Sequence, residues 1–127
     1  MPQAALKTVL IVDDSKFFRT ATERTLTKIG YSVITAADGE EALRLAHEKM
    51  PSLILLDMLL PKLDGPSVLH RLKADSTTKK IPVLVLTSLS QRNEEKLVAE
   101  GASAFLEKER LVKDFQPLLQ AISQLLP

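Results

Sequence analysis

Short apolar runs that alternate with longer stretches of helical rhythm constrain this chain more than any other feature. The runs occupy residues 9–12, 32–36, 53–56, 83–86 and 104–106. Most are rich in Val, Ile or Leu and too brief for a helix, which suits strands covered on both faces. Between them, apolar residues recur every three or four positions. Phe18, Thr22, Leu26 and Ile29 keep that rhythm in the first interval, and Gly30 follows as a C-cap. The second interval opens at Gly39-Glu40-Glu41, sets Ala42, Leu43, Ala46 and Met50 on one side, and stops at Pro51. The third, after Gly65, carries Val68, Leu69 and Leu72, and a fourth runs from about Asn93 to Glu100 with Leu97 inward and Gly101 at its end. The last sets Leu118, Ile122 and Leu125 on one face. It is expected to start near Asp114 as its cap, with Pro117 in the first turn, where a missing N–H costs little. Five strands alternating with five helices predict an α/β fold with right-handed crossovers and a parallel sheet.

Composition narrows the function classes. The 127 residues suffice for one compact domain without disulfides or structural metal, and a single domain over residues 1–127 is expected. A formal net charge of +1 gives no support for nucleic acid or an anionic membrane as partner. The absence of cysteine excludes a disulfide framework, a thiolate zinc site and a cysteine nucleophile. No apolar run approaches the roughly 20 residues that span a bilayer. The first residues carry no signal-peptide core, since the apolar run 9–12 ends at two aspartates. A soluble, cytoplasmic protein is the expectation.

In an open parallel sheet, ligands bind beyond the carboxyl ends of the strands. The first strand ends at Asp13-Asp14, the third at Asp57, the fourth at Thr87-Ser88 and the fifth near Lys108. Three carboxylates, a hydroxyl and an ammonium thus converge on one edge. Carboxylates so crowded raise one another's pKa unless a cation joins them. Mg²⁺ suits the set, because it takes few protein oxygens and keeps several waters. A phosphoryl group on Asp57 could then place one oxygen on the metal, one on Thr87 and one on Lys108, the charge neutralisation that phosphoryl transfer needs. Plainer roles exist for each residue alone. Asp13-Asp14 could be a turn and helix cap, Thr87 a strand end, Lys108 a solvated charge, and Pro61-Lys62-Leu63-Asp64-Gly65 an ordinary turn. It is their joint occurrence at successive strand ends that points to a site.

Four segments carry a family resemblance: Val9-Leu10-Ile11-Val12-Asp13-Asp14-Ser15; Leu55-Leu56-Asp57-Met58-Leu59-Leu60-Pro61-Lys62-Leu63-Asp64-Gly65; Val85-Leu86-Thr87-Ser88; and Gly101-Ala102-Ser103-Ala104-Phe105-Leu106-Glu107-Lys108. In these the chain resembles the bacterial two-component response-regulator receiver domain, of the chemotaxis-regulator kind, over nearly its whole length. The resemblance implies a flavodoxin-like fold with strand order 2-1-3-4-5. It implies that Asp57 accepts a phosphoryl group from a histidine kinase or histidine phosphotransfer protein, with Asp13, Asp14, Asp57 and the backbone carbonyl of Leu59 around Mg²⁺. Thr87 and Lys108 would read the phosphoryl group, and Phe105 would stand at the aromatic switch position. The output would be a protein contact through the face of the fourth helical stretch, the fifth strand and the last helix, made by a monomer or weak dimer.

Two features set this chain apart within the resemblance. The family commonly has proline after the lysine, with a cis bond; here Glu109 follows Lys108, and a trans bond is expected because cis costs about 2.5–4 kcal/mol without proline. The resemblance also implies that the residues two beyond the acceptor and two beyond the hydroxyl tune water attack on the acyl phosphate. Here they are Leu59 and Leu89, neither of which can orient a water, so self-dephosphorylation is expected to be slow. A pseudo-receiver, binding partners constitutively without phosphate, is the alternative reading. A haloacid-dehalogenase-type phosphatase fits less well, because Ser15 stands where its second acid would be needed.

Overall fold

The computed structural model describes residues 7–87 and 100–126. In chain order the elements are β1 (Thr8–Val12), α1 (Lys16–Lys28), β2 (Ser32–Ala36), α2 (Gly39–Lys49), β3 (Leu53–Asp57), α3 (Gly65–Ala74), β4 (Val83–Thr87), β5 (Ala104–Glu107), α4 (Lys108–Lys113) and α5 (Gln116–Leu125). The strands form one parallel sheet in the order β2-β1-β3-β4-β5, as expected. The expected helix near residues 93–100 falls almost wholly outside the described residues. Among the described residues, no helix is long and apolar enough to cross a membrane.

Strand periodicity of two divides the core into two layers. Leu10, Val12, Ile54, Leu56, Val83 and Val85 face α2 and α3, where Ala42, Ala46, Val68, Leu69 and Leu72 meet them. The alternate residues Val9, Ile11, Leu53, Leu55, Leu84 and Leu86 face Phe18 and Leu26 of α1, Leu111 of α4, and Leu118 and Ile122 of α5. Every residue of β3 and β4 is buried, because helices cover both faces. Each fully buried Leu or Ile contributes roughly 1.5–3 kcal/mol relative to exposure.

Local chemistry sets the helix starts. The Ser15 hydroxyl accepts from Phe18 N at 3.3 Å, Asp38 Oδ1 from Glu41 N at 2.8 Å, and Asp64 Oδ1 from Ser67 N at 2.9 Å. Gly30, at φ +104°, ends α1 in a Schellman motif closed by Tyr31 N to Leu26 O at 3.1 Å and Gly30 N to Thr27 O at 3.1 Å.

Three expectations are corrected. Ile29 (54% exposed) and Met50 (50% exposed) do not face the core. Each is the C-cap of its helix, where the backbone leaves helical geometry and turns the side chain off the periodic face. The last helix starts at Gln116 with Pro117 in its first turn, as expected, but its N-cap is Phe115; the Asp114 carboxylate accepts from Gln116 N at 2.9 Å and closes a local turn one step earlier. The segment after Lys108 forms the short helix α4, pinned by Leu111 in the core. The Lys108–Glu109 bond is trans, as expected; no cis peptide bond occurs among the described residues.

Candidate functional site

The site lies where β1, β3, β4 and β5 end. Asp13, directly after β1, is fully buried and held from three directions. Its N–H donates to Ala36 O at 3.1 Å, its Oδ1 accepts from Ser15 N at 2.8 Å, and its carbonyl accepts from Arg19 Nη1 at 2.7 Å. Asp14 beside it is exposed. Asp57 ends β3 and is buried, with Oδ1 accepting from Leu59 N at 3.3 Å. One carboxylate oxygen from each of Asp13, Asp14 and Asp57 lies within 4.8 Å of the others.

A glycine lets the acceptor strand and its loop approach this closely. A Cβ on Gly65 would stand 2.5 Å from Met58 Cα and 2.6 Å from the Asp57 carbonyl oxygen. The Gly65 N–H meanwhile donates to Met58 O at 3.1 Å, folding the start of α3 back onto the end of β3. No side chain fits in that approach.

Lys108 reaches the cluster from the far edge of the sheet, 51 residues beyond Asp57. Its Nζ lies 2.6 Å from Asp13 Oδ2 and 3.3 Å from Asp57 Oδ2, with the side chain 24% exposed. The contact to Asp57 is a hydrogen bond. That to buried Asp13 is the closer of the two, a charge-assisted ion pair. Burial, and then the charge of Asp13, push the Asp57 carboxyl above its usual value; the Lys108 charge and the Leu59 N–H oppose this only in part. Burial works to discharge Lys108, but contact with Asp13 and the charges of Asp13 and Asp57 outweigh it and raise its pKa.

Three carboxylates thus crowd together, with the Lys108 ammonium against two of them and the Arg19 guanidinium on the Asp13 carbonyl. Three carboxylate oxygens within 4.8 Å of one another, all hard donors, and an exposed Asp14 open to water together fit a divalent cation such as Mg²⁺.

Thr87 is buried at the end of β4, between β3, which ends at Asp57, and β5, which leads into Lys108. Phe105, opposite Val85 in the β4–β5 register, is half-buried against the α2–α3 core layer. Leu59 is exposed beside Asp57, while Ser88 and Leu89 lie outside the described residues. Sequence reasoning missed Arg19 as the clamp on the Asp13 carbonyl and read Phe18 only as core. Neither contact has a local sequence signal.

The family model of the response regulator receiver domain matches residues 9–123. The chain belongs to this family. The chain spans about half the length of the curated relatives it matches. The alkaline phosphatase synthesis transcriptional regulatory protein PhoP of Bacillus subtilis is 38% identical over 117 residues, 91% of this chain and 48% of PhoP. The chemotaxis response regulator CheY4 of Vibrio cholerae superposes with a TM-score of 0.83 at 33% identity, covering 96% of this chain and 100% of that one. The receiver domain of the sensor histidine kinase PA1611 of Pseudomonas aeruginosa PAO1 superposes with a TM-score of 0.78 at 30% identity, covering 92% and 97%. Its active-site cleft holds a coordinated magnesium ion. The flavodoxin-like fold and the strand order implied by the sequence resemblance are those of this receiver domain.

Proposed function

We propose that this receiver domain is a phosphorylation switch in which Asp57 takes a phosphoryl group from a histidine kinase or histidine phosphotransfer protein. The observation that carries the reading is the Lys108 ammonium against both Asp13 and Asp57, at the edge where Asp14 follows β1 and Thr87 ends β4. Asp57 Oδ attacks phosphorus, and the bond from phosphorus to the donor's histidine nitrogen breaks. Asp13, Asp14, Asp57 and the Leu59 carbonyl would hold Mg²⁺. Once bound, Mg²⁺ supplies positive charge to the acceptor and to a transferred phosphoryl oxygen.

The chain's own residues do the rest. Lys108 leaves the carboxylates to pair with a phosphoryl oxygen, and the Thr87 hydroxyl donates to another. Phe105 packs inward as Thr87 moves, which re-forms the surface around β5 and α5 that a downstream protein reads. Leu59 and Leu89 offer no group to orient a water, so the acyl phosphate is long-lived. Serine or asparagine at both positions should shorten its half-life, and an unchanged half-life in the doubly substituted protein would refute the role given to the leucines.

The test of the main reading is direct. Wild type and Asp57→Asn are incubated with Mg²⁺ and acetyl phosphate, and the mass of the intact protein is followed. A single Mg²⁺-dependent phosphoryl adduct on the wild type, absent from Asp57→Asn, is expected. An unmodified wild type would instead make the domain a constitutive binding module.

A further inference from the structure

Nothing on its own element aims Lys108. It is the first residue of α4, whose N-cap Glu107 makes no side-chain capping bond, and exposed Glu109 follows it. A lysine stem is long and freely rotating, so surrounding groups must hold its head in place. The two carboxylates attract the ammonium, Asp13 Oδ2 at 2.6 Å and Asp57 Oδ2 at 3.3 Å, but charge attraction alone does not fix the path of the stem that carries it.

A third group is present. The Lys108 Nζ stands 4.8 Å from the centroid of the Phe18 ring, over its face. That face carries the negative lobe of the ring quadrupole and attracts an ammonium best where water is thin. Phe18 is 2% exposed and cannot swing away. Its ring packs on Phe115, centroids 6.3 Å apart and planes tilted by 39°, and it shares a core layer with Leu111 of the helix that Lys108 begins. The helix that presents the lysine and the ring beneath its ammonium are therefore fixed by one apolar cluster.

We propose that Phe18 is a positioning residue for Lys108, its ring face seating the ammonium beside Asp57 so that phosphoryl transfer depends on an aromatic side chain in α1. The inference rests on the phosphorylation reading above. A purely structural Phe18 would fill the core and nothing more, and the two roles separate experimentally.

Phosphorylation of the full chain by acetyl phosphate with Mg²⁺ is measured for wild type, Phe18→Leu, Lys108→Met and the double variant. Phe18→Leu should lower the second-order rate constant by roughly 3- to 30-fold, the range of a partly desolvated cation–π contact. In the Lys108→Met background the same change should lower it no further, because the group it acts through is gone. Should Phe18→Leu fail to fold, 3,4,5-trifluorophenylalanine at position 18 keeps the ring's shape while withdrawing charge from its face, and should slow the reaction in the same way. A readout free of metal and phosphate is the NMR shift of the Lys108 ε-protons, displaced upfield by the ring in wild type and relaxed in Phe18→Leu. An undiminished fall in the Lys108→Met background, a wild-type rate with the fluorinated ring, or unshifted ε-protons would overturn the proposal and leave the phosphorylation reading standing. A wild type that acetyl phosphate does not modify would overturn both.

Discussion

Gly65→Ala tests whether the loop after β3 is built to place Asp57. The added Cβ would lie 2.5 Å from Met58 Cα and 2.6 Å from the Asp57 carbonyl oxygen. Carbon atoms in contact sit about 3.5–4.0 Å apart, so a gap of about 1 Å must open between the start of α3 and the end of β3. Both sides of the clash are backbone and cannot be relieved by a rotamer change. Overpacking of this kind costs typically 1–3 kcal/mol, which urea unfolding followed by circular dichroism would read as a lower midpoint; the chain has no tryptophan to report by fluorescence. The displacement falls on the residue that carries the acceptor. A misplacement of about 1 Å costs on the order of 100-fold in rate where a reaction depends on alignment, so phosphorylation by acetyl phosphate should slow by one to two orders of magnitude, by that same rough rule. Gly30→Ala is the control. Gly30 has φ +104° but nothing within 4 Å of an added Cβ, so the change should cost about 1 kcal/mol in stability and leave the phosphorylation rate alone. A Gly65→Ala protein with wild-type midpoint and wild-type rate would refute the reasoning.

Other outcomes follow from the same geometry. Asp57→Asn should raise the urea midpoint at neutral pH without divalent cations. The folded protein holds the Asp57 proton more tightly than the unfolded chain, so this residue's contribution falls as pH rises from the usual 3.8 through the raised folded value, and stays low above it. The gain should therefore vanish in acid, and a gain independent of pH would count against a perturbed carboxyl. Mg²⁺ at 100 times its dissociation constant should stabilise wild type by about 2.7 kcal/mol, an effect read as a shift in melting temperature and much reduced in Asp13→Asn. Leu111→Ala removes the one buried side chain of α4. It should cost about 2–5 kcal/mol and also slow phosphorylation, because Lys108 begins that helix; truncating exposed Val112 on the same helix should do neither.

The strands, the first three helices between them and the edge where the site forms were legible because each rests on a short-range signal. Runs such as Leu53-Ile54-Leu55-Leu56 need two-sided cover, and a parallel sheet collects Asp13, Asp14, Asp57, Thr87 and Lys108 at one edge whatever the details of packing. Helix ends were less legible. Ile29 and Met50 continue the apolar rhythm, but the rhythm holds only while the backbone stays helical, and each stands at the cap. The helix α4 has no capping signal and a single buried residue. It exists because Leu111 finds Phe18 and Leu118 waiting in the same layer, contacts no local window contains.

The site divides in the same way. Which residue types meet was determined by the sequence alone, since strand order and strand ends follow from local pattern and family resemblance. How they meet was decided only by the tertiary structure: the ammonium of Lys108 shared between two carboxylates, the Arg19 clamp on Asp13, and the Phe18 ring beneath the lysine. The carboxylates and the lysine are distant in sequence, and their distances depend on how every layer between them packs. Pattern can bring five residues to one edge. Close packing on both faces of the sheet decides which atoms touch.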